Sequence, residues 1–160
     1  MQVRRAVEAD WEASRAIRLE ALQDSPLSFA STYEREIALD EQHWRDRIAR
    51  SAQFLAIEDG GTVVGTATGF VDPADLTTTY LVAMYVTAAA RQHGVGELLV
   101  RAVAAEAQAA GADRVRLHVV ETNPGAERLY ARCGFIRTGA TMPLPHRPDL
   151  LEHEMELRLA

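Results

Sequence analysis

The period of the apolar positions changes along this chain, and each change outlines an element. Residues 3–7 form a short apolar stretch suited to an edge strand. From Asp10, a candidate cap, to about Asp24, the residues Trp11, Ser14, Ile17 and Ala21 or Leu22 recur at helical spacing, and Ser25-Pro26 breaks the run. Phe29, Tyr33, Ile37, Trp44 and Ile48 recur mostly every four or seven residues, which predicts two short helices within 28–50. Residues 53–58 and 62–70 read as a β-hairpin turned by Gly60-Gly61. The polar residues 72–79 read as a connection, and residues 80–86, apolar throughout, as a strand buried on both faces.

The strongest helical pattern covers 94–110. Val95, Leu98, Leu99, Ala102, Val103 and Ala107 share one face there, and Gly111 stands where a terminating glycine would. Residues 114–120 read as a strand and 124–132 as a helix. Asn123 is its expected N-cap, Pro124 its pre-organised first residue and Gly134 its stop. A strand over 135–142, a loop interrupted by Pro143, Pro145 and Pro148, and a last strand over about 151–159 complete the pattern. The fold class is α+β, a mostly antiparallel central sheet with helices on both faces, in a single domain over 1–160.

Composition narrows the function. No window holds some eighteen uncharged apolar residues, so no membrane span is expected, and the first residues lack the apolar stretch of a signal peptide. The lone Cys133 excludes an internal disulfide framework and fits a cytoplasmic location. A net charge of −6 argues against nucleic acid as a partner and suits a cationic substrate. His43, His93, His118, His146 and His153 are scattered without ligand spacing, so no metal site is expected.

The candidate chemistry begins at Arg91-Gln92-His93-Gly94-Val95-Gly96, which opens the long helix. A helix start leaves N–H groups without partners and favours negative charge, and glycines let a phosphate approach them. A Rossmann fingerprint would need a third glycine at position 99, which is leucine, and a P-loop needs a lysine, which this chain lacks. Taken alone, the glycines fit a tight strand-to-helix turn better than a phosphate site.

With the second stretch, Asn123 through Leu129-Tyr130 to Gly134-Phe135, the chain resembles the GNAT superfamily of acyl-CoA-dependent N-acyltransferases. Arg91, Gly94 and Gly96 match the family's pyrophosphate loop. Asn123, Ala126, Leu129, Tyr130, Gly134 and Phe135 match its later motif. Gln92 departs from it, standing where many members have glycine. The resemblance covers nearly the whole chain. It implies a three-layer α/β/α fold with six or seven strands, about four helices and a splayed parallel pair formed by residues 80–86 and 114–120.

The same resemblance implies acetyl-CoA as donor and a small-molecule or peptide amine as acceptor, with no metal. A homodimer is compatible with it. The pantetheine arm would pair with backbone at Met84, Tyr85 and Val86, and the pyrophosphate would meet Arg91 and the N–H groups of Gln92, His93, Gly94, Val95, Gly96 and Glu97. Asn123 would border the cofactor. Tyr130 would be the general acid for the departing thiolate, and an N–H near Tyr85 or Val86 would stabilise the oxyanion. His118 takes the place where some members carry a glutamate base, with Glu121 as second candidate. Glu20, Asp24, Glu34 and Asp72 are candidate attractants for a cation. The competing class is a non-catalytic acyl-CoA-binding module on the same scaffold; an enzyme using a longer acyl donor is a third reading.

Overall fold

The computed structural model describes residues 1–160. Its strands are β1 (Gln2–Arg5), β2 (Ala52–Ile57), β3 (Val63–Asp72), β4 (Asp75–Val86), β5 (Arg114–Val120), β6 (Ile136–Leu144) and β7 (Arg147–Arg158). Its helices are α1 (Trp11–Asp24), α2 (Tyr33–Glu36), α3 (Glu41–Arg50), α4 (Val95–Ala109) and α5 (Pro124–Arg132). The strands make one sheet in the order β1-β2-β3-β4-β5-β7-β6. Every neighbouring pair is antiparallel except β4 and β5.

Successive strand residues point to opposite faces, and the core divides accordingly. Leu55 of β2 packs with Ala6 and Ile48 on the α3 side, while its neighbour Ala56 joins Val95, Leu99, Val103 and Ala107 of α4. Ile17, Ala21 and Leu22 bring α1 onto the first face with Phe29 and Tyr85, and Tyr130 brings α5 onto the second. The three-layer arrangement is the expected one.

The layer made by α1 to α3 is fastened by Glu36, only 1 % exposed. It accepts from Arg18 Nε and Nη2 at 3.0 Å each and from Arg47 Nη1 at 2.7 Å. Burial alone would push this carboxyl up, but the two guanidinium groups outweigh it and hold it at about 2.

Two irregularities in β4 shape the site. Ala83 sits at φ 54°, in a bulge where β4 slips against β3 between the pairs Thr66↔Tyr85 and Thr68↔Val82. An inserted residue reverses the alternation beyond it. Leu81 therefore faces the α4 cluster and Tyr85, four residues on, faces the α1 cluster. The second irregularity is the brevity of the parallel pairing, which comprises only Thr78↔Arg114, Thr79↔Val115 and Tyr80↔Arg116. Beyond it the strands separate, β4 staying with β3 through Val86↔Gly65 and β5 with β7 through Val120↔Glu152.

Three sequence expectations are corrected. Of residues 72–79, expected as a connection, only Pro73 and Ala74 are turn, and the rest belong to β3 and β4. Asp72 and Asp75 accept from Ala74 N and Thr77 N to make the turn, and the hydroxyl of buried Thr78 is satisfied by Asp75 at 2.8 Å. Local pairing of this kind lets β-branched threonines enter a core strand. Residues 80–86 are not buried on both faces, because the strand stands free of β5 past Tyr80, and Val82 is 43 % exposed. The proline-rich segment is a tight hairpin closed by Leu144↔Arg147, not a loop. Pro143 is tolerated because β6 is an edge strand, and Pro148 because β7 extends past its pairing with β5 there.

Candidate active site

A cavity of about 580 Å³ opens where β4 and β5 part. The residues the sequence nominates for the donor and the chemistry line it, from Met84 through Glu97 and on to His118, Asn123 and Tyr130, except His93 and the second candidate base Glu121, which are exposed outside it.

The head of α4 forms one wall. Its first intrahelical bond runs from Leu98 N to the Gly94 carbonyl at 3.1 Å, and no N–H from residue 92 to residue 97 has an acceptor within the chain. Gly94 caps the helix at φ 79°. Gln92, at φ 63°, takes the left-handed conformation where a glycine would be unstrained. Gly96 has a packing role in addition to the one expected of it. A β-carbon there would meet the side chains of Leu129 and Met84, so its absence lets α5 and β4 close against α4.

Arg91, Arg128 and Arg132 also line the cavity, against the single carboxylate Glu97. Glu97 is itself held by Arg101, which keeps it below the usual carboxylate range. The wall is thus basic in a chain of charge −6. Six unpartnered N–H groups at a helix start beside three guanidinium groups fit an anion with several oxygens, such as a pyrophosphate. Arg91 is partly committed elsewhere: its Nε donates to the Val86 carbonyl at 2.9 Å, and Nη2 pairs with Asp24. Asp24 and Glu20 also accept from the Tyr85 hydroxyl at 3.0 and 3.3 Å. Burial, followed by the hydrogen bond to Asp24, pushes that phenol up.

On the opposite wall, Asn123 Oδ1 accepts from Ala126 N at 3.2 Å, the expected cap, while Nδ2 donates to Ser28 Oγ at 3.3 Å and ties α5 to the loop after α1. Gly134, at φ 97°, ends α5. Tyr130 is 7 % exposed and its ring packs 6.0 Å from that of Phe135. Its hydroxyl has no hydrogen-bond partner in the chain, and burial pushes its pKa up. It therefore stays protonated at neutral pH and can donate. Cys133 packs against the core, and its thiol is pushed up mainly by burial, so it is a packing residue rather than a nucleophile. The His118 ring stacks on Tyr80 at 5.9 Å, with Nε2 3.7 Å from Glu154.

The profile of the acetyltransferase (GNAT) family matches residues 16–135. The chain belongs to this family. Solved GNAT-like structures superpose over its length. The GCN5-related N-acetyltransferase of Kribbella flavida is 28 % identical, covering 99 % of this chain and 97 % of that one, with a TM-score of 0.80. Salmonella typhimurium yncA, named as an acetyltransferase and solved with acetyl-CoA, gives 22 %, coverages of 100 % and 94 %, and 0.82. The phosphinothricin acetyltransferase of Sinorhizobium meliloti, also with acetyl-CoA, gives 20 %, 99 % and 88 %, and 0.83. No curated protein sequence matches the chain.

Within this GNAT fold, Glu121 is tied down as an acceptor for Leu151 N at 3.1 Å and does not reach the cavity lining. Cavity residues that the sequence reading passed over include Ser25, Ser28, Phe29, Arg128 and Arg132. The two arginines carried a usable signal, since they lie four apart on the helix that begins at Asn123. Phe29 carried none. It reaches the site because His146 Nε2, in the β6–β7 turn, donates to its carbonyl at 2.7 Å.

Proposed function

We propose that the chain is a single-domain N-acetyltransferase moving the acetyl group of acetyl-CoA to a primary amine of a small molecule or peptide, by direct attack in a ternary complex. The observation that carries this is the run of N–H groups without acceptors at the head of α4, on residues that, His93 apart, line the gap between β4 and β5 together with Tyr130.

Bound acetyl-CoA supplies a thioester carbonyl open to a neutral amine. Backbone at Met84, Tyr85 and Val86 pairs with the pantetheine arm, in the place β5 has left free. The N–H groups of residues 92–97, with Arg128 and Arg132, hold the pyrophosphate, and Arg91 braces the loop against Asp24. An N–H of Tyr85 or Val86 faces the oxyanion, a contribution of ~3 kcal/mol to lowering the barrier. The Tyr130 hydroxyl gives its proton to the departing sulfur. His118 takes the proton of the acceptor ammonium, directly or through water.

Release of free thiol from acetyl-CoA against a panel of primary amines tests this reading. Turnover on at least one amine is expected. Saturable CoA binding with no thiol release on any amine would replace the enzyme with an acyl-CoA-binding module. Faster release from longer acyl donors would change the donor assignment.

A further inference from the structure

A histidine ring offers two nitrogens, and a base must hold one of them, without its proton, toward the group it deprotonates. Two contacts fix the ring of His118, which lines the cavity. Its flat face stacks on Tyr80, with centroids 5.9 Å apart and planes 13° from parallel. Its Nε2 edge faces Oε2 of Glu154 at 3.7 Å. The register sets the two residues directly opposite each other on β5 and β7. Both lie on the face turned away from α4, because the alternate residues Leu117 and Val119 join the α4 cluster.

The two oxygens of Glu154 have different neighbours. Oε1 accepts from Thr138 Oγ1 at 2.8 Å and lies 3.9 Å from Arg116 Nε. Oε2 has His118 alone. Arg116 makes no closer claim on this carboxylate, because its Nε donates to Glu156 at 2.8 Å. Glu152, the next carboxylate along β7 on this face, is buried opposite Val120 and does not line the cavity. Glu154 is thus pinned through one oxygen and turns the other to the imidazole edge. At 3.7 Å the contact is longer than a hydrogen bond and acts through charge, in a place where the carboxylate side chain is only 15 % exposed. A carboxylate beside one ring nitrogen favours the proton there and leaves the lone pair on the other.

We propose that Glu154 is a positioning residue of the transfer site: it keeps the proton of neutral His118 on Nε2, leaves Nδ1 as the accepting nitrogen, and offsets the positive charge the ring acquires. The proposal rests on the acetyl transfer described above, with His118 as base. In this step one proton leaves the acceptor's ammonium nitrogen and joins Nδ1, directly or through water. No other bond changes. The single positive charge moves from the ammonium to the imidazole beside Glu154, and the neutral amine is ready to attack.

Two measurements on the full chain test it. The first needs no activity: ¹⁵N spectra of the His118 imidazole, assigned with H118N, at a pH where the ring is neutral. The tautomer protonated on Nε2 is expected to dominate in wild type and to lose ground in E154A. The second compares E154Q with wild type in thiol release, using acetyl-CoA and an amine accepted in the panel. The expected result is a fall in kcat of about 10- to 100-fold, part of what a general base contributes, with an unchanged KM for acetyl-CoA. E154D, which keeps the charge, recovers part of the loss and serves if E154Q does not fold. In an H118N background E154Q is expected to cost nothing further, because the carboxylate acts through the ring. A wild-type ring protonated on Nδ1, a tautomer balance indifferent to E154A, or an E154Q loss of equal size with and without His118 would overturn the role of Glu154 alone. A wild-type kcat in H118N would remove His118 as base and this role with it, leaving the transferase reading in place. Absence of transfer to every amine would overturn the enzymatic reading and this role together.

Discussion

Leu129 fills the space in which a side chain on Gly96 would sit, its Cδ2 falling 2.8 Å from the position of a β-carbon there. Glycine at residue 96 gives the Leu129 side chain of α5 its place against the head of α4. In Gly96→Ala, crowding costs about 1–3 kcal/mol. Better helix propensity returns up to about 1 kcal/mol. A net loss of about 1 kcal/mol is expected, seen in thermal denaturation as a fall in Tm of roughly 2–4 °C for a chain of this size. A raised Tm would show that Leu129 moves aside freely.

Gln92 presents the opposite case. At φ 63° it bears a left-handed backbone that costs a non-glycine residue about 1–2 kcal/mol. Glycine removes that strain while returning about 0.4–1 kcal/mol of unfolded-state entropy. Gln92→Gly is therefore expected to stabilise the chain by about 0.5 kcal/mol in urea denaturation. Destabilisation would mean that the Gln92 side chain makes contacts worth more than its strain.

Tyr130→Phe removes the hydroxyl and leaves the ring packed on Phe135. Loss of a general acid lowers turnover by roughly 10²–10⁴-fold. CoA affinity, read by calorimetry, is expected to stay near that of wild type. Near-normal turnover at saturating substrate would remove Tyr130 from the acid role.

The carboxyl of Glu36, held at about 2 against an ordinary 4.5, makes stability depend on pH. A depressed folded-state pKa gives stability that is complete above about pH 4.5 and drains away as pH falls toward about 2. Glu36→Gln leaves Arg18 and Arg47 without their counter-charge, at a cost on the order of 3 kcal/mol near neutral pH. Denaturation at pH 7 and pH 3 is expected to show the gap between wild type and variant narrowing in acid. A gap of constant size would assign the loss to packing.

Much of the donor side was legible because its signals are local. Gly94, Asn123-Pro124 and Gly134 each announce a helix end, and the apolar face of α4 declares itself by spacing alone. Features that depend on distant partners were not legible. Nothing in the composition of residues 80–86 marks Ala83 as the bulged position, since alanine is an unusual occupant of a left-handed conformation. The use of Arg91 as a brace depends on Asp24, 67 positions away. The threonines at 77–79 looked like a connection because Asp75, the local carboxylate that satisfies Thr77 and Thr78, reads as a loop residue too. Glu152 gave no sign of its burial, which is set by the register of β7 against β5 and β6.

The meeting of β4 and β5 over only three residue pairs has a mechanical consequence. The half-sheet from β1 to β4 and the half-sheet of β5, β7 and β6 are sewn together at one end, near Thr78 and Arg114, with α4 packed across them. A donor lodged in the gap would act as a seam at the unsewn end, making contacts with both halves where they otherwise make few with each other. Loading would thus raise the cooperativity of unfolding as well as the midpoint, and amide exchange would slow along both lips of the gap together.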